Sequence, residues 1–393
     1  MTSRTIGQPI AAGLVTAFVG FASSFAVVLK GLSAVGATDS QAASGLMALS
    51  IAMGIAGIVL SVGLRMPVSV AWSTPGAALL AATGATPGGF PAAVGAFLVV
   101  GALLVVAGLF RPFARLVAAI PGSLANAMLA GVLFGLCLKP IGALIAAPVG
   151  ASLIVLAWLV VSRWKRIYAT PVAALVAALV IAGSGRVAGL DLMVVSPRPE
   201  LVWPTFSLGA LVGIAAPLFI VTMASQNIPG LAVMGAYGYR PDPGRLVWTT
   251  GAFSLASAPF GGHAVNLSSI VAALCASPDA SPDPAKRWIA AVTAGATYIV
   301  FGLLAGLVTA FAAGAPILVE AVAGLALLGP FGSALHNALA DSQEREAALV
   351  TFLVTSSGVT IFNVGGAFWG LVAGGAVLVL TRAGASLSPR QAP

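Results

Sequence analysis

Pro67-Val-Ser-Val-Ala-Trp-Ser-Thr-Pro-Gly-Ala-Ala-Leu-Leu80 is apolar, yet it does not read as one uninterrupted helix. A proline opens it, β-branched Val68 and Val70 follow, and Ser73-Thr74 ahead of Pro75 spells a helix start inside an apolar run. The stretch predicts a few extended residues, 68–71, and then a short helix capped by Ser73 or Thr74. Pro259-Phe-Gly-Gly-His-Ala-Val-Asn-Leu-Ser-Ser-Ile-Val-Ala272 has the same grammar. There, 260–263 are expected to be extended and Asn266 to be the matching cap.

Around these two stretches the chain is dominated by apolar residues. Of 393 residues, 59% are apolar and 7% charged, against about 25% charged in soluble domains. That excludes a soluble enzyme, a nucleic-acid-binding protein and a disordered chain. The net charge of +8 is spread along the sequence and not gathered on one element. A hydrocarbon core about 30 Å thick takes about 20 helical residues. Apolar runs suited to crossing lie at 10–29, 42–64, 88–110, 120–138, 141–162 and 168–183. They resume at 206–228, 244–258, 287–312, 316–338, 346–362 and 364–381. The first has no small-residue cleavage pattern and reads as a retained span. With the broken stretches 67–82 and 259–276 added, the expected fold is an all-α polytopic membrane protein of fourteen segments.

The polar interval 184–204 divides the chain into 1–183 and 205–393, each holding seven segments with the third one broken. An odd number of crossings per half inverts the second half relative to the first, the layout of secondary transporters. Basic residues test that count. With a cytoplasmic N-terminus, Arg4, Arg65, Arg111, Arg115, Arg163, Lys165, Arg166, Arg240, Arg245, Lys286, Arg287, Arg345, Arg382 and Arg390 share the cytoplasmic side. Only Lys30, Lys139, Arg186 and Arg198 fall on the other. This positive-inside bias largely vanishes if the broken stretches do not cross. The inner membrane, with both termini cytoplasmic, is the expected location.

Irregular backbone at membrane depth is tolerated only inside protein or beside a cavity. Two half-helix N-termini aimed at one point, each carrying about half a positive charge, would suit a carboxylate. Ser73, Thr74 and Asn266 are therefore caps, ligand donors, or both. His263 is a packing residue or a titratable group at work. Trp72 is either core or an aromatic wall for a ring-bearing ligand. Gln226 and Asn227, in the eighth segment, are interhelical glue or ligand hydrogen-bonders. Their counterparts in the first segment are Ser23 and Ser24, within Phe21-Ala-Ser-Ser-Phe25. Glu320 and His336 sit near span ends and read as interfacial, and 341–346 reads as a solvated loop. Gly209-xxx-Gly213, Gly302-xxx-Gly306 and Gly366-xxx-Gly370-xxx-Gly374 read as close helix packing. Cys137, Cys275 and two histidines without HExxH or CxxC spacing point to no metal site and no cofactor.

Ala71-Trp-Ser-Thr-Pro-Gly-Ala-Ala-Leu-Leu80 and Pro259-Phe-Gly-Gly-His-Ala-Val-Asn-Leu267 resemble the signature stretches of the benzoate:proton symporter family, the BenE type. Ser23-Ser24 and Gln226-Asn227-Ile-Pro-Gly230 extend the resemblance over essentially the whole chain. It implies the seven-plus-seven inverted-repeat fold shared with the uracil permease and sulfate-transporter groups. It also implies a core domain of about 8–118 and 205–314 and a gate domain of about 119–183 and 315–382. The activity implied is import of benzoate, or a similar aromatic carboxylate, with a proton. The implied substrate residues are Ser23, Ser24, Trp72, Ser73, Thr74, Gln226, Asn227, His263 and Asn266.

Nucleobase permeases of that fold carry glutamates in segments eight and ten. Gln226 and the neighbourhood of Val265-Asn266 stand there instead, and the lack of a carboxylate suits an anion. His263 is then the expected proton carrier, unless the substrate brings its own proton. An exchanger or permease for another small anion or a nucleobase is the next reading. A channel follows it, since no pore-lining ring is evident. No nucleophile–base pair argues for an enzyme. Monomer and homodimer both stay open.

Overall fold

The two proline-opened stretches pair with each other in the buried interior of a helical bundle. The computed structural model describes residues 4–85, 87–110, 112, 121–184, 198–268, 271–362 and 364–387. The chain ends and most of the interval 184–204 lie outside the described residues, and the expectations placed on them do as well.

The first half runs α1 (Arg4–Ala22), α2 (Phe25–Ala34), α3 (Asp39–Leu64), β1 (Val70–Trp72), α4 (Thr74–Thr83) and α5 (Gly89–Leu109). It continues with α6 (Gly122–Cys137), α7 (Lys139–Ala146), α8 (Pro148–Trp164) and α9 (Arg166–Gly183). The second half opens with one long helix, α10 (Leu208–Ala236), followed by α11 (Pro243–Ser257), β2 (Val265–Leu267) and α12 (Ala272–Ala276). Then come α13 (Trp288–Leu303), α14 (Ala305–Gly314), α15 (Pro316–Leu339), α16 (Arg345–Ser356), the strand pair β3 (Thr360–Ile361) and β4 (Val364–Gly365), and α17 (Gly366–Leu387). Among the described residues seven helices are long and apolar enough to cross a membrane, or eight if the bent pair Pro284–Leu303 and Ala305–Gly314 is one span. The protein is a mostly helical polytopic membrane protein.

Local sequence explains the breaks. The first segment kinks at Ser23-Ser24, where both hydroxyls donate back to the Gly20 carbonyl, at 3.1 and 3.0 Å. Such back-bonding competes with the helix ladder. Helix α10 carries two π turns, Leu211–Ala215 and Met223–Asn227. Each lies just ahead of a proline, Pro217 or Pro229, whose missing N–H and bulky ring disrupt the regular ladder. The second π turn carries Gln226 and Asn227.

β1 and β2 are antiparallel, with Val70 opposite Leu267, Ala71 opposite Asn266 and Trp72 opposite Val265. The ladder is extended by Ser73 N–H to Ala264 O (3.0 Å) and Ser268 N–H to Ser69 O (2.9 Å). This corrects the expected register of the second break. Residues Ala258–Phe260 form a 3₁₀ turn and Gly261 turns the chain at φ +90°, so the extended stretch begins later than 260–263. Asn266 consequently lies in a strand and is not a helix cap. With its amide oriented to satisfy both ends, its oxygen accepts from Ser73 N–H at 3.0 Å and its nitrogen donates to Leu267 O at 2.8 Å.

The expected span at 346–362 is also shorter than read. Its helix α16 stops at Ser356 after 12 residues, about 18 Å, because Gly358 (φ +67°) and Phe362 (φ +52°) turn the chain into the β3–β4 hairpin. Packing forms two sets of contacts: α3 on α13, α5 on α11 and α1 on α13; and α15 on α6, α16 on α17 and α6, and α8 on α9. The glycine reading holds at Gly302, where an added Cβ would come within 2.9 Å of Ser50 Cβ. It holds also at Gly370, within 2.8 Å of the Thr351 carbonyl.

Candidate functional site

A cavity of about 970 Å³ lies between the start of half-helix α4 and the middle of α15. One wall is formed by Val19, Ser23 and Ser24 of the first segment, Thr74 and Pro75 of α4, and Ala224, Ser225, Gln226 and Pro229 of α10. The facing wall is formed by Asn126, Leu129 and Leu133 of α6, by Trp158, Arg166 and Thr170, and by α15 from Leu325 to Asn337. Arg166, His336 and Asn337 are exposed at its mouth, whereas Ser24, Pro75 and Gln226 are buried at its depth.

Half-helix α4 is aimed by its cap. Ser73, fully buried, accepts from Gly76 N–H at 3.1 Å and shares a hydrogen bond with Thr222 Oγ1 at 2.9 Å. Its carbonyl takes the Ala77 N–H at 2.8 Å, and Pro75 has no N–H to offer. The Thr74 N–H, first in the helix, has no intrahelical acceptor. The turn that touches the cavity thus offers a ligand one backbone donor, the Thr74 side chain and the positive end of a short helix. Helix α12 begins next to residues 269–270, which lie outside the described set, and none of its described residues lines the cavity.

Of the nine substrate residues expected from the sequence, four reach the cavity: Ser23, Ser24, Thr74 and Gln226. The other five stand behind the wall. Trp72 is buried, donates its Nε1–H to Ser24 Oγ at 2.9 Å and meets Phe21 edge-on at 5.4 Å, so it orients Ser24 from behind and forms no aromatic wall. Ser73 caps α4. Asn227 is fully buried, accepting the Leu267 N–H at 2.9 Å and donating to Met223 Sδ at 3.3 Å. Asn266 belongs to β2. His263 is fully enclosed just ahead of β2, its ring 6.3 Å from Phe97 and both nitrogens without a hydrogen-bond partner among the described residues.

Asn126, Trp158, Arg166, Thr170, Ser333, His336 and Asn337 are additions that sequence reasoning did not supply. The available signal was periodicity: Gly329, Ser333 and His336–Asn337 fall on one helical face, as do Arg166 and Thr170. No Asp, Glu or Lys lines the cavity, and Arg166 is its one permanent charge among the described residues. No group of three or more potential metal ligands occurs among those residues either.

The sequence and fold have clear relatives. A family model described as benzoate membrane transport protein matches residues 5–380. The chain is 40% identical over 370 residues to inner membrane protein YdcO of Escherichia coli K12, covering 94% of each. It is 30% identical over 371 residues to a benzoate membrane transport protein of Acinetobacter baylyi, covering 92% of each. Its fold resembles the transmembrane domain of the cyanobacterial bicarbonate transporter BicA (TM-score 0.60, 14% identity, 95% of this chain and 98% of that one). It also resembles the murine anion transporter Slc26a9 in the inward-facing state (TM-score 0.65, 13% identity, 98% and 69%).

Proposed function

We propose that this chain, which belongs to the benzoate membrane transport protein family, imports benzoate or a similar aromatic carboxylate together with a proton. The observation that carries the reading is the cavity. Ser23, Ser24, Thr74 and Gln226 set polar groups opposite Trp158 and an apolar stretch of α15, and among the described residues no carboxylate lines the cavity to repel an anion. A flat ring suits the apolar wall, and a carboxylate suits the helix start.

The transport cycle we propose is alternating access between a core of about 8–118 and 205–314 and a gate of about 119–183 and 315–382, built as two inverted seven-segment repeats. The antiparallel pairing of β1 with β2 supports the inversion, because two copies related by a two-fold axis in the membrane plane run in opposite directions. The cavity mouth carries Arg166, on the side that the basic residues mark as cytoplasmic in an inner membrane. The state described is then inward-facing, as in the Slc26a9 structure.

A coupling residue has to exchange its proton with water and sense the substrate. His263 is fully buried away from the cavity, with neither ring nitrogen hydrogen-bonded among the described residues. His336 lines the cavity near its exposed mouth, within reach of both water and substrate. The coupling role expected for His263 therefore passes to His336 in this proposal.

Uptake of labelled benzoate by proteoliposomes, with and without an inward proton gradient, tests both points. Gradient-driven accumulation is expected in the wild type and in His263→Gln, with only downhill flux in His336→Gln. Accumulation that persists unchanged in His336→Gln would remove that residue as the carrier. Wild-type vesicles that take up no benzoate under either condition would overturn the substrate assignment.

A further inference from the structure

We infer that Arg166 sets the charge selectivity of the cavity, pairing with the substrate carboxylate and favouring aromatic monocarboxylates over neutral molecules of the same shape. The inference rests on the transport reading above and adds a residue to it. Arg166 is the first residue of α9 and reaches across to α15, where its Nη2 would sit 3.8 Å from a Cβ added to Gly329. That is ordinary van der Waals distance, so the guanidinium lies along the Gly329 stretch of the cavity wall. No ion pair or hydrogen bond engages it among the described residues, although elsewhere Lys30, Lys139, Lys286 and Arg382 all have acidic partners.

An unpartnered guanidinium on the wall of a cavity without acids is a fixed positive potential. Low-dielectric walls concentrate that potential on whatever enters. Its planar fork matches a carboxylate bidentately, which an ammonium does not. The core-side wall offers neutral side chains and the partial charge of one short helix start, whereas Arg166 supplies the cavity's one full charge among the described residues. The sharper separation of a carboxylate from a carboxamide thus falls to Arg166.

The test compares binding of benzoate and its neutral isostere benzamide to purified protein. The wild type is expected to prefer benzoate, and Arg166→Gln to lose roughly 10- to 100-fold in benzoate affinity with benzamide unchanged. Arg166→Lys should fall between, keeping charge without the fork. Arg163→Gln, which alters a basic residue outside the cavity lining, should behave as wild type. Because the readout is a ratio of two ligands on one sample, a partly misfolded preparation does not mimic the result. A wild-type preference that survives in Arg166→Gln overturns this inference alone. A wild type that binds neither compound overturns the transport reading, and this one with it.

A separate observation carries a second inference. Glu320 lies near the start of α15, outside the stretch from Leu325 that lines the cavity, and at the opposite end of the helix from His336. There it meets Lys30 of α2 at 2.5 Å and Lys139 of α7 at 3.3 Å. We infer that this triad latches the far end of the molecule shut while the cavity is open at the Arg166 end. It joins α2, in the proposed core, to α7 and α15, in the proposed gate.

The pair is partly exposed, so its expected leverage is a roughly two- to fivefold shift in population. In a Cys137→Ser background, a cysteine at Ser23 should be labelled by an impermeant thiol reagent from the Arg166 side. Lys30→Glu should slow that labelling two- to fivefold, and the swap Lys30→Glu/Glu320→Lys, made with Lys139→Gln to remove the like charge next to position 320, should restore most of it. Unchanged labelling in Lys30→Glu, with an unaltered unfolding temperature, would overturn the latch.

Discussion

Gly54→Val and Gly295→Val are each expected to abolish recovery of folded protein, while Gly57→Ala folds as wild type. Helices α3 and α13 approach through these glycines. A Cβ added to Gly54 would lie 2.5 Å from the Gly295 carbonyl oxygen and 2.8 Å from Ile299 Cγ1. One added to Gly295 would lie 2.6 Å from the Gly54 carbonyl oxygen. In both cases the obstruction is backbone, which no rotamer change relieves. Lipid provides no hydrophobic force between helices, so close approach of small residues is the source of their attraction. Overpacking of a fixed site costs about 1–3 kcal/mol, and more when two backbones must separate. At Gly57 the nearest atoms are 3.8 Å away, an ordinary contact, and alanine gains up to about 1 kcal/mol in helix propensity. The monodisperse fraction and unfolding temperature in detergent decide the matter. Wild-type values for Gly54→Val would mean that the two helices are not held this closely.

The half-helix was legible because its signals are local. Ser73-Thr74-Pro75 states a cap and a first turn within three residues, and Ser73 makes that cap. The second break was legible only in part. Its proline and glycines marked an interruption, but the lengths of turn and strand depend on Gly261 turning at φ +90° and on pairing with β1. That partner lies almost two hundred residues away in sequence, and the register of a β ladder is a tertiary property. Asn266 therefore moved from cap to strand.

The cavity was half legible for a related reason. Ser23, Ser24, Thr74 and Gln226 sit at breaks that the sequence advertises. The opposite wall is made of regular helix, whose polar residues at 333, 336 and 337 look like an ordinary interfacial end until α15 is seen facing α4. Arg166 was absorbed by the topology argument, since a basic residue at a span end already has an explanation. His263 lies off the cavity, which the sequence could not show. A lone histidine at membrane depth invites a functional reading, yet here it fills space beside Phe97 with neither nitrogen engaged.

Thr74→Val and Asn227→Leu should fail in opposite ways. The sequence offered both residues equally as substrate ligands, but they stand on different sides of the cavity wall. Thr74 lines the cavity at the first turn of α4. Valine preserves its shape and the cap made by Ser73, so the unfolding temperature should hold. The lost hydroxyl, if bonded to a carboxylate, is worth about 1.5–3 kcal/mol of binding, roughly tenfold and upward in affinity for benzoate. Asn227 is fully buried, and its Oδ1 is the acceptor for the Leu267 N–H in β2. Leucine fills similar space and leaves that N–H without an acceptor inside the bundle, at a cost of about 1–3 kcal/mol of stability. The unfolding temperature should drop, while the folded fraction binds benzoate with near wild-type affinity because Gln226, and not Asn227, touches the cavity. Calorimetric binding and thermal unfolding on the same samples separate the two outcomes. A Thr74→Val protein that binds like wild type would move the carboxylate away from the half-helix. An Asn227→Leu protein that is fully stable yet no longer binds would place the substrate on the strand pair, behind the wall described above.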